Sequence, residues 1–427
     1  MNRREFLTLA AGAVAAGGLN AAEKTKVAAQ GSQSANTQLF RVNPHLQLLG
    51  EASFGIVWMT SKPATGWAEW SQDGGKNWTK VWTETDGLRD ANGLLHKAIV
   101  EEGYDPKKPL VYRAHSRAID AFRDGRTTYD GDEVIVERKL EAVIREDGSI
   151  SFLFFNDIHD IVKTYPLLLK QITSSASFNV FAGDILNSVS SEGQVVDHLL
   201  SPMAEVSEKT GAACWYLRGN HETRGPMARQ LRNYLALKDG HYYGAVTIGS
   251  ARILFIDSGE DKGDDWKEKN GTLAYGGLVD FDHYLEKQRE FVLREIASDE
   301  WKRAGVRLVI THIPACFPYE NNEKVWWRNM RAPRLNKFFR TFDDANVTLM
   351  IAGHIHRCTY GDAYTKVPKT AKRYRTYPIV AGGGPIIDDK NELSRPTVGR
   401  ITVKGTKVEV SFVNVDGKTV LSRTYSG

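Results

Sequence analysis

The chain reads as an all-β sandwich followed by an α/β domain, and three features of the sequence predict it. Residues 39–141 consist of short apolar and aromatic runs divided by turn clusters, without a long helical period. From Ser151 onward, apolar runs alternate with amphipathic helical segments, the pattern of strands covered by helices. Five of these later runs end in clusters of Asp, Asn and His, where a buried strand would stop.

In the first region the strand signals fall at residues 54–60, 66–70, 77–82, 110–116 and 133–137, with a turn cluster at 72–76. This is the spacing of a small antiparallel sandwich. Its tryptophans, Trp58, Trp67, Trp70, Trp78 and Trp82, are expected mainly as core or interdomain filler rather than as a sugar-binding face. The boundary falls near residues 141–148. In the second region, residues 281–296 carry Phe281, Tyr284, Leu285, Phe291, Val292 and Ile296 at three- and four-residue spacing, which predicts an amphipathic helix. Strand signals return at 377–380, 398–403 and 407–413 with no linker before them, so residues 150–427 are read as one domain.

Composition limits the function classes. Of 427 residues, 41% are hydrophobic and 25% charged, an ordinary globular balance. Lys and Arg number 56 against 52 Asp and Glu, and a net charge of +4 gives no reason to expect nucleic-acid binding. Three cysteines, Cys214, Cys316 and Cys358, exclude a disulfide scaffold and a four-cysteine zinc site. Cys316 and Cys358 stand shortly after His312 and His356, which leaves open both a disulfide and two unpaired thiols.

Residues 1–22 combine a charged start, a short Ala/Gly-rich apolar stretch and a small-residue cleavage site, the layout of an export signal. Arg3-Arg4 followed by Glu5-Phe6-Leu7 resembles the bacterial twin-arginine signal, which implies the twin-arginine export machinery as a partner. Residues 23–38 read as a flexible linker. No cysteine precedes Cys214 to take an N-terminal lipid, and no later apolar run reaches about 18 residues. The expectation is a periplasmic or secreted protein without a stable membrane anchor.

The five polar clusters carry the chemistry. They are Asn156-Asp157-Ile158-His159, Gly183-Asp184-Ile185-Leu186-Asn187, Arg218-Gly219-Asn220-His221-Glu222, Thr311-His312 and Gly353-His354-Ile355-His356. Side chains at the carboxyl ends of adjacent strands converge in the crevice of an α/β sheet. The glycines at 183, 219 and 353 are expected to let the chain turn so that the next side chain projects into it. Asp157, His159, Asp184, Asn220, His312, His354 and His356 form a mixed nitrogen and oxygen donor set suited to Fe, Mn, Zn or Ni. Seven donors exceed what one ion takes once water is counted, so two divalent or mixed-valence ions sharing one carboxylate are expected.

The ordered series Asp157-x-His159, Gly183-Asp184-x-x-Asn187, Gly219-Asn220-His221-Glu222, Thr311-His312 and Gly353-His354-x-His356 resembles the motif set of calcineurin-like metallophosphoesterases. The region before it, with Pro44-His45-Leu46, Ile56-Val57-Trp58 and Tyr112-Arg113, resembles the fibronectin-III-like N-terminal domain of purple acid phosphatases. The resemblance implies a β-sandwich catalytic core flanked by helices. It implies that Asp157, His159 and His356 hold one metal, that Asn220, His312 and His354 hold the other, and that Asp184 bridges them. In purple acid phosphatases a tyrosine ligand occupies the position of Asn187. Asparagine cannot replace that phenolate, so Asn187 is read as a partner of a ligand and the protein as a non-purple relative.

The implied reaction is hydrolysis of a small phosphate ester, with a metal-bridging hydroxide attacking phosphorus in line, and a phosphomonoester is the favoured substrate. His221 is expected to protonate the leaving oxygen, with Glu222 orienting it, and Arg218 and Arg224 to contact phosphate oxygens. Residues 314–334, with Tyr319, Trp326, Trp327 and Arg328, connect two metal blocks and are expected at the rim. A phosphodiesterase or nucleotide hydrolase is the alternative on the same site. A non-catalytic binding or adhesion module that keeps the fold is the alternative of another class.

Overall fold

The computed structural model describes residues 39–315, 333–363 and 376–427. The expected export signal and linker, Cys316, and Tyr319, Trp326, Trp327 and Arg328, expected at the rim, lie outside the described residues. Among the described residues no helix is long and apolar enough to cross a membrane.

The region after residue 150 is built from two sheets laid face to face. In the first, Ile150–Phe155, Phe178–Ala182 and Ala213–Leu217 run parallel, and Thr397–Lys404 pairs antiparallel with Ile150–Phe155. In the second, Ala251–Ile256, Val306–Thr311, Leu349–Ala352 and Ile379–Ala381 run parallel, with Gly244–Ile248 antiparallel at one edge. Alternation along each strand decides the layers. Phe152 and Phe154 point between the sheets to meet Ile253, Phe255, Leu308 and Ile310 in one buried cluster. Leu153 and Phe155 point outward against Leu168, Leu199 and Met203. On the far side Leu254, Ile256 and Val309 meet Leu285, Val292, Trp301 and Phe338. Trp215 and Phe255 stack across the gap with ring centroids 3.9 Å apart.

The helix expected at 281–296 spans Phe281–Ala297, and Asp280 caps it by accepting from the His283 N–H. Its buried face includes the polar Gln288, whose amide receives the Asp257 N–H and donates to the Asp257 carbonyl oxygen. That pairing fixes the end of the Ala251–Ile256 strand against the helix.

The antiparallel strands expected in residues 39–141 are joined to the first of these sheets. Phe54–Ser71 pairs through its first half with Phe40–Leu48 and Ala91–Val100, and through its second half with Leu110–Arg123. Phe40–Leu48 in turn runs parallel to Ala213–Leu217, with Gln47 opposite Cys214. Leu46, Phe54, Ile56, Trp58 and Tyr112 belong to the same buried cluster as Phe152 and Phe178. The change of pattern near residues 141–148 is therefore a change of connectivity and not a break in the core. The Gln47 side chain reinforces the junction, because its Oε1 receives the Ala236 N–H at 2.8 Å.

Candidate metal centre

The five clusters meet at the carboxyl ends of strands from both sheets. Four of these strands are Ile150–Phe155, Phe178–Ala182, Val306–Thr311 and Leu349–Ala352, and Asn220 lies just past Ala213–Leu217. The first two loops leave side by side, with Asp157 N–H donating to the Gly183 carbonyl and His159 N–H to that of Asp184. Asp157, His159, Asp160, Asp184, His354 and His356 all adopt left-handed backbone with φ between 50° and 70°. Each costs about 1 kcal/mol or more, and Asp and His tolerate it better than most residues. Apart from Asp160, the turn is thus made at the candidate ligands themselves.

Of the three glycines expected to turn, Gly183 does so with φ 81°. At Gly219 the requirement is space, since a Cβ there would stand 2.3 Å from the Asp184 N and Oδ1 atoms.

Two donor groups share one carboxylate. Asp157, His159, Asp184 and His356 form the first, and Asp184, His312 and His354 the second. Asp184 Oδ2 lies 3.1 Å from His312 Nε2 and 3.5 Å from His159 Nε2. His356 Nε2 lies 3.3 Å from Asp157 Oδ1. Asn220 Oδ1 lies 3.0 Å from His354 Nδ1, which brings the seventh expected ligand to the second group.

The partners of the histidines set which nitrogen faces the cluster. His312 donates Nδ1–H to the Ala182 carbonyl at 2.8 Å, which leaves Nε2 for a cation. His159 donates Nδ1–H to Asn187 Oδ1 at 2.8 Å, and Asn187 Nδ2 returns a bond to the His159 carbonyl at 3.0 Å. Asn187 thus holds His159 at both the His159 side chain and the His159 backbone carbonyl. Asp157 Oδ1 and His312 Nε2 are buried without a hydrogen bond of acceptable geometry. Such orphaned atoms are costly unless a cation satisfies them, and the donor set fits one.

Electrostatics agree. Burial acts against the charge on His312, yet Asp184 and Asp157 push its pKa up to about 10. His159 follows the same balance, with Asp157 and Asp184 carrying it to about 9 despite burial. The carboxylates create a negative potential that draws positive charge into the pocket. His354 moves the other way, to about 4, through burial and its neighbour His312.

His221 lies at the edge of the cluster, with Nε2 3.9 Å from Asp184 Oδ2. Its Nδ1–H donates to the Asn187 carbonyl at 2.9 Å, and Nε2 accepts from Arg224 Nη1 at 3.0 Å. Arg224 is braced by Glu260, with Nη2 to Oε2 at 3.0 Å.

The structure revises two expected roles. Glu222 does not orient His221. It is fully buried and its carboxylate accepts the N–H groups of Asp184, Leu186 and Gly219, each at 2.9 Å. It staples two ligand loops together, and burial followed by repulsion from Asp184 raises its pKa to about 7. Arg218 does not present its guanidinium to the cluster. It pairs with buried Asp257 at 2.7 Å and lies 4.6 Å from the centre of the Tyr242 ring.

Several contacts of the site had no role assigned from the sequence. Asn156 donates to Asp157 Oδ2 at 2.5 Å and to the Gly383 carbonyl at 3.2 Å, so the Gly-rich run at 382–384 backs a ligand. Asp261 Oδ2 stands 4.0 Å from His354 Nε2. Burial and then the adjacent Glu260 raise its pKa to about 7. Cys214 and Cys358 are buried free thiols.

Residues 150–358 match the family model described as calcineurin-like phosphoesterase. No curated protein sequence matches the chain. Among solved structures, the purple acid phosphatase PPD1 from seeds of yellow lupin (Lupinus luteus) is similar over 90% of this chain and 74% of its own, at 13% identity and a TM-score of 0.60. A structure of PhoD is similar over 91% of this chain and 89% of its own, at 10% identity and a TM-score of 0.60. At such identities the likeness is one of fold, and it extends through the N-terminal strands as well. Residues 150–358 are a calcineurin-like phosphoesterase domain, and the chain is a metal-dependent phosphoesterase.

Proposed function

We propose that the protein hydrolyses phosphate esters at a dinuclear metal centre, with monoesters as the favoured class. The observation that carries the proposal is the sharing of Asp184 between the two donor groups. Asp157, His159 and His356 would hold one ion, and Asn220, His312 and His354 the other. When bound, such a pair supplies Lewis acidity and lowers the pKa of water toward neutrality. The identity of the ions is left to the donor set, which suits Fe, Mn, Zn or Ni.

The protein's own groups then bind and orient the ester. His221 Nδ1–H, held by the Asn187 carbonyl, aims Nε2 along the edge of the cluster. A phosphate oxygen entering there competes for the Arg224 Nη1 donor, which is the substrate contact assigned to Arg224. Freed of that bond, His221 Nε2 can carry a proton and pass it to the departing oxygen. The lupin protein of similar fold is named a purple acid phosphatase, which is in keeping with a phosphate-ester substrate.

One observation favours diesters as the second reading. Asp261 Oδ2 stands 4.0 Å from His354 Nε2, and the adjoining Glu260 is held down to about 2 against burial by the Asp261 contact and Arg224. Negative charge there penalises a dianionic monoester more than a monoanionic diester. The test compares p-nitrophenyl phosphate with bis(p-nitrophenyl) phosphate on metal-reconstituted protein. A higher kcat/KM on the monoester is expected. The reverse order would transfer the assignment to diesters, and no hydrolysis of either by metal-loaded protein would contradict the proposal. Export by the twin-arginine route is part of the same reading, supported by Arg3 and Arg4.

A further inference from the structure

We propose that Asp160 is the positioning residue of the Asp157, His159 and His356 metal subsite, acting through Asn187 on His159. The inference rests on the dinuclear reading above. Asp160 follows a ligand in sequence and holds left-handed backbone at φ 64°. Its carboxylate turns away from the cluster and gathers donors from two other segments. Oδ2 receives the Asn187 N–H at 2.9 Å, the Gln194 amide reaches Oδ1 and Oδ2 at 2.9 and 3.0 Å, and His198 Nδ1–H donates to Oδ1 at 2.8 Å.

Asn187 is thereby fixed from its backbone while its side chain makes two bonds to His159. The donors are themselves oriented. Gln194 Oε1 accepts the Ser190 N–H at 2.8 Å, which turns the amide NH2 toward Asp160. Gln194 and His198 stand one turn apart, and the π-helical turn Val196–Leu200 begins between them. Such turns recur at functional sites because they re-aim a side chain within a continuous helix.

The relay is one-sided. His312 Nδ1 is held by the Ala182 carbonyl and His354 Nδ1 lies 3.0 Å from Asn220 Oδ1, contacts that do not run through Asp160 or Asn187. A positioning role therefore weakens one subsite and spares the other, whereas a general staple would loosen both.

The experiment is calorimetric titration of the metal-depleted full chain with Mn²⁺, with melting of the metal-free protein recorded alongside. The wild type is expected to show two binding events, and H356A identifies the one that belongs to this subsite. Asp160→Asn should weaken that event by about 10- to 100-fold and leave the other within twofold. Its effect should be non-additive with Asn187→Leu, because both act through the same ring. Unchanged binding, equal weakening of both events or additive losses would overturn the proposal. Should Asp160→Asn not fold, the pair Gln194→Leu with His198→Leu strips the same carboxylate and is held to the same outcome. A wild type that binds no metal refutes the dinuclear reading itself, a failure the wild-type isotherm separates from the others.

Discussion

The Nε2 atoms of His159 and His356 lie 3.0 Å apart at the ends of strands separated by nearly two hundred residues. His159 donates Nδ1–H to Asn187, so it is Nε2 that faces His356 and Asp184 Oδ2. Asp157 Oδ1, 3.3 Å from His356 Nε2, completes a set of donors around one point. His356→Ala should therefore reduce bound metal from two ions to one per chain, with the remaining ion at the His312 side. Elemental analysis of the purified variant checks this. Retention of two tightly bound ions would remove His356 from the ligand set.

His221 differs from the ligands because its Nε2 lies 3.9 Å from Asp184 and is engaged by Arg224. His221→Ala should keep both ions while kcat falls by about a hundredfold, as loss of a general acid implies. The loss should shrink for esters with leaving groups of low pKa. Equal losses on activated and unactivated esters would deny it the proton-donor role.

For Glu222 the expected effect is on stability. Glu222→Ala strands the N–H groups of Asp184, Leu186 and Gly219 in a buried loop. An unsatisfied buried donor costs about 1–3 kcal/mol, so a total loss of about 3 kcal/mol or more is expected in urea unfolding of metal-free protein. A loss under about 1 kcal/mol would show that the loops hold without it.

His45 makes stability depend on pH at the junction of the two regions. It is buried and neutral, donating Nδ1–H to the Asn43 carbonyl and accepting from the Gln47 amide at Nε2. Burial lowers its pKa from 6.5 to about 4, while the Asn43 bond opposes the shift. The folded value lies below the unfolded one, so the contribution is complete above pH 6.5 and is lost as pH falls toward 4. The size is roughly 3 kcal/mol. His45→Gln should flatten that part of the pH–stability curve, and an unchanged slope would show that His45 does not carry it.

The sequence made the convergence of Asp157, His159, Asp184, Asn220, His312, His354 and His356 legible because each stands just after a buried apolar run, and such runs in one sheet must deliver their ends to one edge. Helix Phe281–Ala297 was equally legible from its period. Arg218 was misread because proximity to Asn220 in sequence does not say which way a side chain turns. Asp257, which claims it, follows the Ala251–Ile256 strand of the other sheet. Glu222 was misread for a related reason, since its partners are backbone groups of another loop. Asp160 and Asp261 carried no signal of their own, their partners being scattered over distant segments. The junction between Gln47 and Cys214 was hidden as well, because an alternating strand satisfies its pattern against any free edge.

The central claim is that Asp184 is shared by two ions, and Asp184→Asn tests it most directly. A neutral amide cannot balance two cations, so both ions should be lost and hydrolysis should fall to background. The measurement is metal stoichiometry of wild type and Asp184→Asn by elemental analysis, with turnover recorded on the same samples. Two ions per chain in the wild type and none tightly held in the variant is the expected result. Two ions and near-normal turnover in Asp184→Asn would contradict the account.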